Sequence, residues 1–365
     1  MAFYQAWSEA LQATRLALSE TVQINDPRNY GKLTGFMNYL FNRSQNPNTI
    51  NVVQNSNSNA SQYRSVEIKY TPHKGTSNVI TTDTGNCNKV AQRRDLINTY
   101  QPALYVEDKF TIEENWARQV IEKGGKDLLT RRLTEEFQEC FRNCRESMDS
   151  QLLSKAYGLV GANPAAGVGK DAFFDVEMLK ADGTIGAQSF DVIRNQMQDN
   201  FMTGTPAIVG LGNARRVFNR FAIGNLNTSG GFDVREIESQ FGMLMYLDQL
   251  ALPIYNDDNQ VVCFYPGLTQ FYQYNLFKGA FEIQTPDDKI KGTMPDPIYP
   301  GLTWDYTLYY DDDCATGNGL QGAWTGRVIA YFDLFTVPEE AFGEPYGDLV
   351  DFNGIVGYRI TQATS

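Results

Sequence analysis

Histidine is almost absent from this sequence, which has one in 365 residues, His73. It follows Pro72 in a polar stretch, and no Ser or Cys motif accompanies it. Imidazole is the usual acid–base and nucleophile-activating group near neutral pH, so this scarcity removes most mechanisms of that kind. The sequence favours a non-enzymatic protein, with no catalytic residue, no cofactor and no metal.

Cysteine and long apolar runs are also scarce. The five cysteines are an odd number without paired spacing, which indicates reduced thiols. Cys140 and Cys144 could share a metal on one helix face, but no further His or Cys is near, so we expect core thiols. No run approaches the ~18 apolar residues that cross a bilayer, and the N-terminus lacks the cationic start of a secretory signal. These absences predict no membrane partner and a cytoplasmic setting.

Positive charge is in deficit, with 31 Lys and Arg against 43 Asp and Glu. A net charge of −12 argues against general nucleic-acid binding, which needs clustered cations. The distribution is uneven, because residues 64–94 carry six Lys and Arg but only two acids. From residue 233 to the end there are 20 acids and six bases. A basic and an acidic segment can attract one another within one copy or between copies.

Two glycine-containing stretches invite a nucleotide interpretation. "GANPAAGVGKD", residues 161–171, has Pro164 and Asp171 where a phosphate loop needs Gly and Ser or Thr, so we expect a hinge-like linker. "GLGNARR", Gly210 to Arg216, follows a strand and opens a helix like a dinucleotide-binding turn, although Arg215 replaces the third glycine. This turn keeps a nucleotide-dependent soluble enzyme open as an alternative.

The clearest element is a helix over residues 113–157 that no proline interrupts. At 1.5 Å per residue it would span on the order of 65 Å. The pair Gly124 and Gly125 is where it should bend. Its apolar stripe consists of Trp116, Val120, Leu129, Leu133, Phe137, Cys140, Cys144, Met148 and Leu152.

Extended segments flank this helix. "YRSVEIKYTP" (63–72) and "YQPALYVEDKFTI" (100–112) predict a long two-stranded arm, and polar residues 42–62 predict a loop. An isolated hairpin is marginal in water, so we expect support from a neighbouring subunit. Near the C-terminus, "WDYTLYYDDDCATGNGLQGAWTGRVIAYFDLFTVP" (304–338) predicts two long strands around an acidic tip.

A compact α/β region is predicted between these extended parts. "SFDVIRNQMQDNFM" (189–202) indicates a helix, "PAIVGLG" (206–212) a buried strand, and "LALPIYNDDNQVVCFYP" (250–266) two strands. "GLTQFYQYNLF" (267–277) is predicted to be helical. Together with the returning strands, this order indicates two interleaved α+β domains.

The order of elements resembles the HK97-like major capsid proteins of tailed double-stranded DNA bacteriophages. "YRSVEIKYTP" and "YQPALYVEDKFTI" match the extended loop, and "EENWARQVIEKGGKDLLTRRLTEEFQECFRNCRESMDSQLL" (113–153) matches the spine helix. The segments from "SFDVIRNQMQDNFM" through "PAIVGLGNARRVFNRFAIG" to "LALPIYNDDNQVVCFYPG" match the axial domain.

The resemblance implies an α+β fold with an HK97-like division of the chain. The expected parts are an N-terminal arm at 1–45, an extended β-hairpin loop at 46–112, the spine helix and first part of the peripheral domain at 113–186, the axial domain at 187–280, and the return strands of the peripheral domain with the C-terminal segment at 281–365.

The same resemblance implies self-assembly into hexamers and pentamers of an icosahedral shell that encloses DNA without sequence-specific binding. The expected location is the virion capsid, assembled in the host cytoplasm, with portal, scaffolding and possibly decoration proteins as partners. An encapsulin-like compartment remains an alternative.

Charge and position single out candidate contacts between subunits. Gly124 and Gly125 are the expected bend of the spine helix. The predicted contact residues are Arg64, Lys69, Lys74, Arg93, Arg94, Asp311, Asp312 and Asp313.

Overall fold

The structure is a computed structural model. It describes residues 2–20, 34–42, 51–54, 66–70, 96–160, 173–184, 193–195, 206–212, 214, 237–238, 244–255, 257–265, 267–277, 283–284, 289–299, 301–311, 322–337 and 353–363. The predicted helix at 189–202, the helix that the turn at 210–216 was expected to open, and the linker at 161–171 lie almost wholly outside these residues.

Helices and strands are mixed along the chain, so the predicted α+β class is confirmed. The helices are α1 (Ala2–Glu20), α2 (Gly35–Asn42), α3 (Glu114–Glu122), α4 (Lys126–Gly158) and the short α5 (Ala251–Ile254).

The strands form three sheets. The first has the order β1 (Asn51–Gln54), β2 (Val66–Tyr70), β3 (Leu96–Tyr100). The second has the order β10 (Thr269–Tyr274), β14 (Ala323–Thr336), β13 (Thr303–Asp311), β12 (Ile290–Pro295), β11 (Ile283–Gln284), with β4 (Leu104–Glu113) also paired to β14. The third has the order β5 (Phe173–Leu179), β15 (Ile355–Gln362), β9 (Gln260–Phe264), β6 (Ala207–Gly210), β8 (Leu244–Leu247), β7 (Ile237–Glu238).

The chain divides into two compact units, each built from three separate segments. Unit 1 comprises Met1–Lys32, Ala103–Gln151 and Gln273–Phe332, and unit 2 comprises Leu33–Pro102, Leu152–Tyr272 and Asp333–Ser365. The predicted interleaving of two domains is therefore confirmed, while the predicted domain boundaries stay predictions.

In unit 1, helix α4 packs on one face of the second sheet. The ring of Phe137 lies 5.0 Å from that of Phe110 and 5.7 Å from that of Tyr306, between centroids. Phe141 stacks on Trp304 at 5.8 Å. The predicted α4 stripe from Leu129 onward is buried, since its members recur every three or four residues and so lie on one face.

Helix α1 belongs to the same unit. Its buried residues Ala6, Trp7, Ala10 and Leu11 recur at helical spacing. Trp7 stacks on Trp324 of β14 with 4.7 Å between ring centroids.

Unit 2 contains the mixed third sheet. Strand β15 is parallel to β5 and antiparallel to β9, and β6 is parallel to β8. Helix α2 stacks Phe36 on Phe264 at 4.7 Å, and its Phe36 backbone N–H donates to the buried Asp248 carboxylate at 2.9 Å.

Two local predictions are wrong. Thr269–Tyr274 is strand β10 and not a helix, because its aromatic and β-branched residues suit a sheet position beside β14. Residues 251–254 form α5 and not a strand, because Asp248 Oδ1 accepts the Leu250 N–H ahead of the turn. Pro253 fits there, since the first helical turn needs no partner for its N–H.

Candidate assembly surfaces

The three-stranded sheet of β1, β2 and β3 carries the predicted extended arm. Strands β2 and β3 pair antiparallel, with Lys69 opposite Ile97, so the first predicted strand pairs with residues 96–100 and not, beyond Tyr100, with the predicted run 100–112. A third strand, β1, comes from the polar tract that was predicted to be a loop and places Asn51 opposite Lys69. The run 100–112 does not continue the arm, because Leu104–Glu113 pairs with β14 instead.

The predicted contact residues lie mostly outside the described structure. Lys69 lies in β2, and Asp311 ends β13 opposite Ala323. The others, Arg64, Lys74, Arg93, Arg94, Asp312 and Asp313, lie outside the described residues. Their part in assembly stays a prediction.

Gly124 and Gly125 lie between the end of α3 at Glu122 and the start of α4 at Lys126. Gly124 has φ +73°, in the left-handed region that favours glycine. The Gly125 N–H donates to Val120 O at 2.8 Å, and the Gly124 N–H donates to Ile121 O at 3.0 Å. These are the two bonds of a Schellman motif, so α3 ends here with its last carbonyl groups satisfied and α4 starts anew.

Large apolar side chains are exposed on both sides of this break. Trp116 of α3 is 37% exposed and Leu128 of α4 is 58% exposed. The prediction that Trp116 lies on the buried stripe is wrong, because the break separates α3 from α4 and Ala117 is the buried residue of α3. In α1 of the same unit, Leu16 is 63% exposed.

A buried ion pair fixes α4 against the turn between β12 and β13. Arg145 donates to Asp296 Oδ2 at 2.8 Å, and Trp304 Nε1 donates to the same oxygen at 2.8 Å. Asp296 Oδ1 accepts the backbone N–H groups of Ile298 and Tyr299. The sequence did not predict this pair, because Arg145 directly follows Cys144 and looks like any polar residue beside the apolar stripe.

A second charged cluster lies on β4 and β14, on strand positions opposite to those that face α4. Arg327 donates to Glu107 at 2.7 Å and to the Tyr105 hydroxyl at 2.9 Å. Lys109 lies 3.0 Å from the other Glu107 oxygen. Burial raises the pKa of Glu107, but the hydrogen bonds from Arg327, Tyr105 and Lys109 outweigh it and lower the pKa to about 2. Glu107 therefore stays ionised between two cations.

Cysteine and glycine positions bear on the alternative chemistry. Cys140, Cys144 and Cys263 are buried free thiols, and burial raises the pKa of each. Within the described ranges, no group of three or more His, Cys, Asp and Glu could hold a metal ion. Among the same residues, no helix is long and apolar enough to span a membrane.

The "GLGNARR" turn has a structural explanation for its two glycines. A Cβ on Gly210 would lie 2.8 Å from Val261 Cγ1. Gly212 has φ +61°, and a Cβ there would lie 2.5 Å from the Asp258 carbonyl oxygen. The close approach that the glycines allow is therefore used by the chain's own residues 258–261. Asn213, Arg215 and Arg216 lie outside the described residues.

Comparison with known proteins finds similarity only at the level of structure. No protein-family model matches the sequence, and no curated protein is significantly similar to it. Among solved structures, the chain is similar to the capsid asymmetric unit of cyanophage A-1(L), with 12% identity, a TM-score of 0.45 and coverage of 91% of this chain and 94% of that chain.

It is also similar to a Mycobacterium phage Che8 structure, with 11% identity, a TM-score of 0.38 and coverage of 85% and 92%. A third is the satellite phage P4 procapsid including size determination protein, with 9% identity, a TM-score of 0.30 and coverage of 90% and 99%.

Proposed function

We propose that this chain is a major capsid protein whose copies assemble into an icosahedral shell around a double-stranded DNA genome. The observation that carries this proposal is the three-stranded sheet of β1, β2 and β3. In the described part of the chain, its strands pair only with one another and join neither six-stranded sheet. Among the described strands, none pairs with the outer edge of β1 or of β3, and such an edge can pair with another chain.

A small sheet of this kind gains stability from a partner. Three short strands of four and five residues give little area for a core of their own. A copy that binds the folded sheet stabilises it by mass action, so folding of the arm and assembly support one another. A shell subunit has several neighbours and can supply that surface.

The exposed apolar side chains beside the helix break supply a second contact surface of the right chemistry. Trp116 and Leu128 are large and partly or mostly exposed. Aromatic and aliphatic side chains in such positions commonly anchor protein interfaces. We assign this surface to contacts between copies.

Charge fits the same function. The basic stretch 64–94 and the acidic C-terminal part would attract each other across subunits. A net charge of −12 would also limit adhesion of enclosed DNA to the wall. The protein then acts without catalysis, forms hexamers and pentamers, and cooperates with portal, scaffolding and possibly decoration proteins in the host cytoplasm. The domain boundaries given from the sequence belong to this proposal.

A charge-swap experiment tests the contact residues. We expect Arg93→Glu with Arg94→Glu to abolish shells, because the basic arm would repel its acidic partner. Asp311→Lys with Asp312→Lys and Asp313→Lys should do the same, and all five changes together should restore shells. Negative-stain microscopy and light scattering after size exclusion report the outcome.

The matched control is Lys180→Glu, a charge reversal at an exposed residue of unit 2 outside the basic stretch, which should leave shells intact. A wild-type chain that stays monomeric under all conditions contradicts the capsid proposal. Shells that enclose an enzyme cargo and no DNA support the encapsulin-like alternative. If the wild type forms shells but the variant with all five changes does not, the result contradicts the assigned contact residues and not the capsid proposal.

The glycine break is expected to let the long helix adopt two geometries during assembly. Gly124→Ala with Gly125→Ala should favour one geometry, because alanine is strained at φ +73° and a Cβ on Gly125 would meet Val120 O at 3.1 Å. We expect altered yield or size of shells by electron microscopy. Gly158→Ala is the control, since a Cβ there has nothing within 4 Å. Unchanged assembly and expansion of the double variant would count against the hinge.

A further inference from the structure

Asp305 is a buried carboxylic acid in the middle of β13. Its side chain is fully buried. Oδ2 accepts the backbone N–H of Leu276 at 2.5 Å, and the carboxyl group also accepts the N–H of Phe277. Oδ1 is buried too, and none of the described residues donates a hydrogen bond to it.

Leu276 and Phe277 lie in the turn at residues 275–277, which follows β10. Two amide side chains connect this region to the start of β13. Asn275 Nδ2 donates to Thr303 Oγ1 at 2.5 Å. Gln273 Nε2 donates to the Thr303 carbonyl oxygen, and the Thr303 N–H donates back to Gln273 Oε1 at 3.2 Å. We call this set the clasp, and its residues are Gln273, Asn275, Leu276, Phe277, Thr303 and Asp305.

The clasp contains two buried oxygens without a donor. One is Asp305 Oδ1 and the other is Asn275 Oδ1. Two contacts bring the Asn275 amide and the Asp305 carboxyl together. Leu276, which directly follows Asn275, donates to Asp305, and Asn275 donates to Thr303, which lies two residues before Asp305 on β13. Buried polar atoms are rarely left unsatisfied, and the described residues supply no donor to either oxygen.

Among the residues that the structure describes, no cation supplies this donor. Lys291 of β12 is on the same sheet face as Asp305, because Thr293 is directly opposite Asp305, but its Nζ lies 6.0 Å from the centre of the Phe277 ring. Residues 275–277 carry no titratable side chain.

The other charged groups on this face are also engaged elsewhere. Ile329 of β14 is opposite Asp305, and the next cation on that strand, Arg327, binds Glu107. Lys289 lies over the ring of Tyr309 at 5.7 Å. With no described cation paired to it, burial raises the pKa of Asp305 to about 6, although the N–H groups of Leu276 and Phe277 oppose this.

We propose that Asp305 is a proton-operated lock of the clasp, in which the protonated acid donates its O–H to Asn275 Oδ1 while accepting the N–H groups of Leu276 and Phe277. A proton taken from solvent gives Asp305 the donor that both orphan oxygens lack. When that proton returns to solvent, a buried charge without a cation remains, and the clasp loosens.

The direction of the pH effect follows from the raised pKa. The folded pKa of about 6 lies above the ordinary aspartic acid pKa of 3.8. The stabilisation is therefore complete below about pH 4 and is lost as the pH rises through about 6. The clasp is closed in mildly acidic solution and opens more readily near and above neutral pH.

Hydrogen–deuterium exchange of the peptide covering residues 269–277 tests this. After correction for the intrinsic exchange rate, we expect wild-type protection to fall about tenfold or more between pH 5 and pH 8, as a shift of roughly two pKa units allows. Asp305→Asn mimics the protonated acid, because its Nδ2 can donate to Asn275, so its protection should be equal at both pH values. A peptide covering residues 290–295 is the internal reference for global unfolding.

A second variant keeps the proposal testable if Asp305→Asn fails to fold. Asn275→Ala removes the acceptor of the proton and should move the wild-type transition to lower pH. Protection in the wild type that is equal at pH 5 and pH 8, or a transition unmoved in Asn275→Ala, overturns the proposal. Loss of the transition on adding Ca²⁺ or Mg²⁺ at constant pH also overturns it, because a cation would then be the missing partner.

Discussion

Asp296 and Asp305 are buried carboxyl groups of the same unit, yet their surroundings differ. Asp296 accepts hydrogen bonds from Arg145, Trp304 and two backbone N–H groups, so both of its oxygens are satisfied. Among the described residues, Asp305 accepts hydrogen bonds only from the backbone N–H groups of Leu276 and Phe277, and none donates to its Oδ1. Both side chains are buried, so the number and charge of the hydrogen-bond donors decide how well each carboxyl group is compensated.

This difference gives the two acids different structural roles. Asp296 forms an ion pair with Arg145 and so ties α4 to the turn before β13. Asp305 has no such partner among the described residues, and its hold on the turn at 275–277 depends on a proton. One contact rests on an ion pair with arginine, and the other rests on a proton.

Removing Arg145 would leave Asp296 without a cation, which is the situation of Asp305 among the described residues. We expect this change to have the largest effect on the free energy of unfolding. Arg145→Ala leaves Asp296 as a buried charge without a cation, which should lower the free energy of unfolding by about 3–5 kcal/mol. Urea unfolding followed by tryptophan fluorescence measures it, at one protein concentration because assembly would add stability.

Arg145→Lys is the matched variant, since it keeps the charge but loses the planar fork of donors. We expect a smaller loss than for alanine. A loss below about 1 kcal/mol for Arg145→Ala would show that the two backbone donors and Trp304 satisfy Asp296 without the cation.

The sequence predicts the parts of this unit that local pattern controls. The stripe of α4, the break at Gly124 and Gly125, and the pairing of β13 with β14 follow from helical spacing, glycine and strand alternation. The strand β10 and the exposure of Trp116 do not, because both depend on which surface covers them.

The carboxyl anchors are harder still to predict. Arg145 and Asp296 are separated by 151 positions, and no local motif marks either of them. Asp305 looks like any polar residue of an alternating strand until the turn at 275–277 is seen to cover it. Contacts between distant segments of a chain, which have no period, are what pattern reasoning leaves out.

Glu107 is a third case for comparison, because it accepts hydrogen bonds from charged donors but is less buried than Asp296. We therefore expect a smaller change in the free energy of unfolding when its charge is removed. Glu107→Gln removes the charge between Arg327 and Lys109 and should lower the free energy of unfolding by about 1 kcal/mol at pH 7, between the values for exposed ion pairs and for hydrogen bonds to charged groups. The pKa of Glu107 is lowered to about 2, so its contribution is present above about pH 4.5 and is lost as the pH falls towards 2.

Urea unfolding of the wild type and the variant between pH 7 and pH 3 measures this difference. Arg131→Ala is the control, because Arg131 and Glu135 form an exposed pair of the i,i+4 kind at 3.1 Å that should contribute only about 0.3–0.5 kcal/mol. If Glu107→Gln lowers the free energy of unfolding by no more than Arg131→Ala does, the number of hydrogen-bond donors to a carboxylate does not offset the weakening of its interactions by solvent exposure. The ranking drawn from Asp296 and Asp305 would then hold only for fully buried acids.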